Sequence, residues 1–338
     1  MKRKILLIGT GGTIACRKTE EGLAPSFRSE ELLSYIPGTS DFCQVDTMQL
    51  CNLDSTNIRP EHWAQISRTI EAQYETYDGF VVCHGTDTMA YTAAALSYMI
   101  RDSARPVIVT GAQKPISEAS TDARVNLRDS LLYAADPDSH GVCIVFDGKV
   151  IAGTRARKER TKSYNAFSSI NYPYLAVIQD GHLIRYIPET APTAGAVRFH
   201  HDMDRRVYVL KFTPGLDPSI LTWIFENADG VIFESFGVGG IPDYLAEALE
   251  CQMGRHPEKM VVVATQVVRE GSDMTVYQVG RQVKRDLNLL ETYDMTLEAA
   301  LAKTMWILSD PEIPVSCRAE AFYRTVNHDL VQYGAGDH

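Results

Sequence analysis

The chain has 338 residues, of which 45% are hydrophobic and 22% are charged, and its formal net charge at neutral pH is -10. This length is sufficient for two domains with separate cores, and the composition is that of a folded globular protein. The acidic balance argues against a general binder of nucleic acid or of anionic membranes, because either would need a basic face.

The first residues combine basic side chains with an apolar run, as a secretion signal does, but glycines interrupt the run early. Lys2-Arg3-Lys4 precedes Ile5-Leu6-Leu7-Ile8, and Gly9-Thr10-Gly11-Gly12-Thr13 follows directly. Such a short run predicts a buried strand that enters a glycine-rich turn rather than a signal sequence. No apolar run reaches the roughly 18 residues that span a bilayer, so we expect no membrane partner.

Short apolar runs alternate with amphipathic helices along the first half of the chain. The pattern predicts strands at residues 4–8, 79–83, 106–110 and 142–146. It predicts helices at residues 59–74, 88–100 and 122–135. This alternation is typical of parallel βαβ units.

The alternation stops around residues 187–201, which hold Pro188, Pro192 and Gly195, and it then resumes. Later strands are predicted at residues 207–211, 230–233 and 260–264, with helices at 242–251, 296–308 and 318–323. The sequence therefore predicts an α/β fold with two doubly wound parallel-sheet domains. The larger N-terminal domain covers residues 1–187, a linker covers 188–204, and the smaller C-terminal domain covers 205–338.

Cysteine and histidine spacing gives no sign of a metal or redox site. The seven cysteines include no C-x-x-C pair, and the nine histidines are scattered. Reduced, buried cysteines are typical of a cytoplasmic protein. We therefore expect a cytoplasmic chain without a metal or a cofactor.

A polar segment directly follows the first predicted strand. Thr10-Gly11-Gly12-Thr13 lacks the third glycine of a dinucleotide loop and the Gly-Lys-Ser/Thr end of a P-loop. Such a turn is purely structural about as often as it is functional. Ligands of open parallel sheets bind beyond the carboxyl ends of strands, and the turn places the Thr13 hydroxyl there.

A second polar segment, His84-Gly85-Thr86-Asp87-Thr88-Met89, directly follows the second predicted strand, residues 79–83. Asp87 and Thr88 alone would be ordinary residues of a helix N-terminus. A hydroxyl becomes a nucleophile when a base removes its proton, and the chain has no Gly-x-Ser-x-Gly elbow. Two hydroxyl-bearing turns at one sheet edge are harder to explain by capping alone.

Residues 9–15, Gly-Thr-Gly-Gly-Thr-Ile-Ala, and residues 84–89 resemble the two signature segments of the bacterial-type L-asparaginases. The resemblance extends along nearly the whole chain, including residues 106–113 and 235–239, and is strongest to the cytoplasmic type I branch. It implies hydrolysis of L-asparagine, with L-glutamine as a side substrate, and no cofactor. It also implies a homo-oligomer, a dimer or commonly a tetramer, with no nucleic-acid partner.

The resemblance also implies roles for individual residues. Thr13 matches the nucleophilic threonine, and Thr86 and Asp87 match the second threonine and its aspartate. Lys158 matches the catalytic lysine, although two other lysines lie nearby in the sequence. The backbone N–H groups of residues 11–13 and of Thr86 are candidate donors to an oxyanion.

Ser55, within Asp54-Ser55-Thr56, matches the residue that holds the substrate carboxylate, while Asp87 would also hold the substrate ammonium group. The alternative for this segment is a helix-capping loop before Pro60. The chain departs from the family where a mobile tyrosine is expected, because Leu23 stands there. Tyr277 is the alternative source of that hydroxyl.

Three other functions fit parts of the same pattern. Archaeal amidotransferase subunits share these motifs, a glutamine-preferring enzyme would differ from an asparaginase by one methylene of substrate, and an inactive homologue would only bind amino acids or nucleotides. One methylene changes binding by only about 1–3 kcal/mol, so the sequence does not separate the two amides.

Overall fold

The computed structural model describes residues 2–20, 22–187, 190–193, 195–276 and 289–331. The chain divides into two compact units, Met1–His201 and Asp202–His338. The predicted limits of the domains and the linker stay a prediction. Within the described residues, no helix is both long enough and apolar enough to cross a membrane.

The N-terminal unit is built on an eight-stranded sheet, with shorter paired strands beside it. The strands of the unit are β1 (Arg3–Gly11), β2 (Cys16–Thr19), β3 (Gly22–Pro25), β4 (Cys43–Leu53), β5 (Gly79–Cys83), β6 (Ile100–Arg101), β7 (Val107–Thr110), β8 (Val142–Phe146), β9 (Lys149–Ala152), β10 (Ala156–Lys158), β11 (Phe167–Ser169), β12 (Ala176–Gln179), β13 (His182–Arg185) and β14 (Arg198–Phe199). The order in the large sheet is β13-β12-β9-β8-β7-β5-β1-β4.

This sheet is mixed, so the predicted parallel arrangement holds for only part of it. Strands β4, β1, β5, β7 and β8 run parallel, whereas β8, β9, β12 and β13 pair antiparallel. Two tight hairpins cause the change, because Asp147-Gly148 and Asp180-Gly181 all have positive φ. An Asp-Gly pair with both φ values positive forms the type I′ turn that joins antiparallel strands. The predicted α/β class with two domains is confirmed.

Four α-helices of this unit are described: α1 (Ser29–Leu33), α2 (Pro60–Gln73), α3 (Met89–Met99) and α4 (Ala123–Ala135). Helix α4 contacts β1, β5, β7 and β8, and its Leu127 and Leu131 join a core cluster with Ile5, Val81 and Ile108. Helix α3 packs against β7 and β8, and nearly all of its residues are buried. The alanines of α3 permit close approach to the sheet. The close packing of α3 and α4 against the sheet holds the strand ends in fixed positions.

The predicted elements agree with the structure where the sequence is strongly apolar. The strands predicted at 79–83 and 142–146 have the bounds of β5 and β8, and the predicted helices at 59–74 and 122–135 correspond to α2 and α4. Part of the predicted linker is bound to the N-terminal unit, since β14 pairs with β6. His201 also contacts the Ser67 hydroxyl and the Glu71 carboxylate in α2.

The C-terminal unit contains a four-stranded parallel sheet in the order β15-β16-β17-β18. Its described elements are β15 (Val207–Lys211), α5 (Ser219–Asn227), β16 (Gly230–Ser235), α6 (Asp243–Arg255), β17 (Met260–Thr265), β18 (Leu290–Glu291), α7 (Leu297–Ser309) and α8 (Arg318–Tyr323). Phe212, Phe225 and Phe233 lie in its core cluster. These large aromatic side chains let a small sheet bury the apolar area that a separate core requires.

A fully buried ion pair connects α7 to the end of the described chain. Lys303 Nζ donates to Asp329 Oδ2 and to the carbonyl oxygen of Arg324, both at 2.7 Å, and neither charged side chain is exposed. The other carboxylate oxygen of Asp329 accepts from the Val326 N–H at 2.9 Å. Burial lowers the pKa of Lys303, and Asp329 opposes that effect. These contacts satisfy both buried charges within the unit.

Candidate active site

The polar motifs meet where the strand order of the large sheet reverses. The chain passes from β1 to β4 on one side of β1, and β5 then pairs with the other side. Open α/β sheets bind ligands at such a switch point, beyond the carboxyl ends of the strands. Thr13 follows β1, Ser55 follows β4, and Thr86 follows β5, so three predicted site residues leave the sheet at this edge.

The loops after β1 and β5 touch through two glycines. Gly12 has a φ of 81°, and a Cβ atom placed on it would lie 2.3 Å from the backbone nitrogen of Gly85. Only glycine fits that approach, because any side chain would overlap the neighbouring backbone. Thr13, the next residue, is half-buried and begins a 3₁₀ turn. The predicted nucleophile is therefore next to the contact between the two motifs.

Lys158, at the end of β10, joins Thr86 and Asp87 in one cluster. Its Nζ lies 2.7 Å from Thr86 Oγ1 and 2.6 Å from Asp87 Oδ1. Of the two lysines near it in the sequence, Lys149 instead pairs with Asp147. The lysine side chain is 15% exposed and that of Asp87 is 58% exposed, so the carboxylate remains open to a ligand.

Gln113 belongs to the same cluster, although no role was predicted for it from the sequence. It follows β7, and its Oε1 accepts a hydrogen bond from Thr86 Oγ1 at 3.1 Å. Its position beyond the carboxyl end of a central parallel strand was the signal that could have found it.

Ser55 connects the loop after β4 to the loop after β5. Its hydroxyl oxygen accepts from the Asp87 N–H at 3.3 Å, and its carbonyl oxygen accepts from the Thr88 hydroxyl at 2.7 Å. Because the Ser55 oxygen acts as the acceptor, its own hydrogen is left to donate to a ligand. Asp54 and Thr56 bind each other, since Asp54 Oδ1 accepts from the N–H and the hydroxyl of Thr56, both at 2.8 Å.

The bonds between Asp54 and Thr56 cap the short 3₁₀ turn Ser55–Asn57. The helix that begins at Pro60 has Arg59 at its N-cap instead. The backbone N–H and the hydroxyl of Thr56 lower the pKa of Asp54. A substrate-binding role for Asp54 and Thr56 stays a prediction.

His84 is buried beneath the loop and holds it by hydrogen bonds. Its Nδ1 lies 2.7 Å from the carbonyl oxygen of Gly85, and its Nε2 lies 3.0 Å from Thr92 Oγ1. Trp63 Nε1 donates to the same hydroxyl at 2.9 Å. A carbonyl only accepts and an indole N–H only donates, so one arrangement satisfies all these atoms. In it, neutral His84 carries its hydrogen on Nδ1, and burial lowers its pKa to about 4.

One predicted oxyanion donor is corrected by the structure. The N–H of Gly12 already donates to the carbonyl oxygen of Leu53 at 3.0 Å, because β1 still pairs with β4 there. Leu23 lies in β3, where it pairs with Lys18, and Tyr277 lies outside the described residues. Among the residues that are described, no group of three histidine, cysteine, aspartate or glutamate side chains is placed to ligate a metal ion.

Fold and cluster together define a two-domain α/β protein with a hydroxyl, carboxylate and lysine site at the switch point of its larger sheet. The sequence matches the family model "Asparaginase, N-terminal" over residues 4–190 and the model "Glutaminase/Asparaginase C-terminal domain" over residues 206–319. The chain therefore belongs to the asparaginase family, and the predicted family is confirmed.

Individual relatives agree with this assignment. An L-asparaginase of Thermococcus kodakarensis is 40% identical over 90% of this chain and 92% of its own length. L-asparaginase 1 of Escherichia coli K12 is 33% identical over 91% of this chain and 92% of its own length. The solved structure of the thermostable L-asparaginase from Thermococcus kodakarensis has a TM-score of 0.91 at 36% identity, covering 98% of this chain and all of that one.

Proposed function

We propose that this chain hydrolyses L-asparagine to L-aspartate and ammonia, as its named relatives do, through an ester on Thr13. One observation carries the proposal: the Lys158 amine binds both the Thr86 hydroxyl and the Asp87 carboxylate. At a sheet switch point, a lysine amine can act as the base, and a threonine hydroxyl beside it can carry the proton to that base. Family membership supports the same reaction class.

In the first step, Thr13 Oγ bonds to the side-chain carboxamide carbon of the substrate. Thr86 takes the Thr13 proton while its own hydrogen passes to the neutral amine of Lys158. The carbon–nitrogen bond then breaks, and the leaving nitrogen takes the proton from Lys158 and departs as ammonia. Water attacks the resulting ester, the Thr13 oxygen regains its proton, and aspartate is released.

Substrate orientation is assigned to the residues around Ser55. The exposed Asp87 carboxylate pairs with the substrate α-ammonium, and the free hydrogen of the Ser55 hydroxyl donates to the α-carboxylate. Asp54 and Thr56 shape this end of the pocket. Since the Gly12 N–H is already used, the backbone N–H groups of Gly11, Thr13 and Thr86 remain the proposed donors to the oxyanion.

The wider setting is also proposed. Seven free cysteines suit a reducing, cytoplasmic location, which cell fractionation tests. A homotetramer built from dimers is expected from the resemblance, and sedimentation equilibrium tests it. L-glutamine is expected as a slower substrate, because one methylene is worth only about 1–3 kcal/mol of discrimination.

The decisive experiment measures ammonia release from L-asparagine and L-glutamine by the parent chain and by Thr13→Ala. We expect release from asparagine in the parent and a loss of at least about 10⁴-fold in the variant, with an unchanged melting temperature. Thr76→Val, which removes the hydroxyl of an exposed threonine outside the cluster, serves as the control. Full turnover by Thr13→Ala would eliminate the proposed nucleophile, and absence of release by the parent would eliminate the reaction.

A further inference from the structure

Gln113 contacts both the Thr86 hydroxyl and the loop that follows Lys158. Its Oε1 lies 3.1 Å from Thr86 Oγ1, and its Nε2 lies 3.1 Å from the carbonyl oxygen of Ser163 and 3.5 Å from that of Arg160. The side chain therefore bridges the end of β5 and the β10–β11 hairpin, which carries Lys158.

The chemistry of the partners determines the direction of every bond in this bridge. Carbonyl oxygens only accept, so the amide nitrogen of Gln113 faces Ser163 and Arg160, and Oε1 faces Thr86. The Lys158 ammonium only donates, so Thr86 Oγ1 accepts from it. The single hydrogen of the Thr86 hydroxyl is consequently directed to Gln113 in the resting state.

Gln113 is itself held firmly. The buried carboxylate of Asp122 accepts from the backbone N–H of Gln113 at 2.9 Å and from that of Lys114 at 3.1 Å. The same two loops are joined again where the Tyr164 hydroxyl donates to the carbonyl oxygen of Ser120 at 3.0 Å. A side chain on such a fixed backbone can hold its partners in one geometry.

We propose that Gln113 is a positioning residue that orients the Thr86 hydroxyl and ties the Lys158 hairpin to it. The inference rests on the function proposed above, because it concerns the same proton path. Before the reaction, the Lys158 ammonium releases one proton to solvent, to which its side chain is 15% exposed, and becomes a neutral amine. When Thr86 then takes the Thr13 proton, its own hydrogen must turn from Gln113 Oε1 to that amine. Gln113 thereby keeps the threonine oxygen between nucleophile and base while directing its hydrogen away from the base until the reaction begins.

The first test is Gln113→Leu, which keeps the approximate size of the side chain and removes all of its hydrogen bonds. We expect kcat to fall by about 10- to 100-fold with KM changed by less than about threefold, since misplacement of a reacting group by 1 Å costs about that much. Gln179→Leu, at an exposed glutamine of β12, is the matched control and should leave turnover unchanged. Parent-like kcat in a folded Gln113→Leu protein overturns the proposal.

The second test uses Gln113→Glu and does not depend on turnover. The new carboxylate and the Lys158 amine both neighbour Thr86 Oγ1, so they lie within about 6 Å of each other and the charged ammonium is favoured. The charges near Lys158, on Asp87 in space and on Arg157, Glu159 and Arg160 along the chain, are the same in parent and variant.

The readout is acetylation of Lys158 by acetic anhydride across pH, followed by mass spectrometry of its peptide. We expect the onset of labelling to move up by about one to three pH units in Gln113→Glu, with no shift at Lys149. An unchanged pH for the onset of labelling at Lys158 overturns the proposed bridge by Gln113. If the parent releases no ammonia, the proposed function fails, whereas this labelling shift still decides the contact of Gln113.

Discussion

Two lysine–aspartate pairs, one in each unit, have nearly the same length and opposite surroundings. Lys158 and Asp87 are 2.6 Å apart with side chains 15% and 58% exposed, whereas Lys303 and Asp329 are 2.7 Å apart and fully buried. The second acceptor of each lysine also differs. Lys158 donates to a hydroxyl, which can pass a proton on, and Lys303 donates to a backbone carbonyl, which cannot.

The comparison separates two roles of an ion pair: the first pair takes part in the proposed chemistry, and the second stabilises the fold. In the N-terminal unit the carboxylate remains open to a ligand and the amine has a proton-carrying neighbour. In the C-terminal unit both charges of the pair are satisfied by buried contacts, so the pair contributes to the position of residues 324–329 and to nothing that a substrate could reach. Substitutions of the two lysines should therefore have opposite consequences.

The largest effect is expected for Lys158→Met on activity. Loss of the amine removes the proposed base, and kcat should fall by about 10²- to 10⁴-fold. The unfolding free energy should change by less than about 1 kcal/mol, because a partly exposed pair contributes little. Steady-state ammonia release and thermal unfolding measure the two quantities. Lys149→Met, which removes the lysine paired with Asp147 outside the cluster, is the control. Parent-like kcat in Lys158→Met would contradict the chemical role of the first pair.

Lys303→Met should show the reverse pattern. Removing one member of a buried pair leaves an uncompensated charge, so the unfolding free energy should fall by about 3–5 kcal/mol. Urea unfolding measures this loss, and hydrogen exchange of α7 locates it in the C-terminal unit. Lys303→Met combined with Asp329→Asn should recover part of the stability, since no buried charge is left alone. A stable single variant would contradict the architectural role.

A buried group without an ion partner gives a third point of comparison. His84 has a pKa of about 4 in the fold against 6.5 in the unfolded chain, so the unfolded state binds more protons between these values. Stability should accordingly fall as the pH drops from 6.5 to 4, by up to about 3 kcal/mol below that window.

The His84 effect is measured as a difference from His84→Gln, which does not titrate. Asp129, whose pKa burial raises to about 6, acts in the opposite direction, because its folded form gains the proton first as the pH falls. The parent should lose more stability than the variant between pH 7 and pH 4. Equal losses would contradict the lowered pKa, because they would show that His84 binds a proton as readily in the fold as in the unfolded chain.

The smallest effect is expected for Thr92→Val. The change removes the hydroxyl that links Trp63 to His84 and leaves two buried nitrogens without a partner, at a cost of about 1–3 kcal/mol. Thermal unfolding of this variant is compared with that of Thr76→Val at an exposed site, where a change within about 0.5 kcal/mol is expected. Equal melting temperatures for Thr92→Val and Thr76→Val would show that the hydrogen bonds among Trp63, Thr92 and His84 do not stabilise the fold.

Sequence reasoning succeeded where a single physical signal dominated. The bounds of β5 and β8 follow from uninterrupted apolar runs, which predict strands covered on both faces. It failed at β4, an edge strand whose residues are mostly half-buried and whose polar side chains hide the pattern. The Asp147-Gly148 hairpin was readable, because this dipeptide is a strong turn signal, yet the expected parallel alternation obscured it.

The site was predicted through residue identity and resemblance, and its contacts required the fold. Sequence alone left Lys158 beside two other lysines, and the structure brings its amine to Thr86 and Asp87. Gln113 was not singled out, since its role depends on carbonyl groups that are 47 and 50 residues away along the chain. Such long-range contacts have no local sequence period.

The central place of β1 also has a consequence for how the chain is made. This strand is synthesised before its two neighbours in the sheet, which begin at Cys43 and Gly79. Its apolar run must wait for residues synthesised several seconds later, at about 5–20 residues per second. During that interval Ile5–Ile8 is an exposed β-prone segment, a natural target for a chaperone and a risk for aggregation during expression.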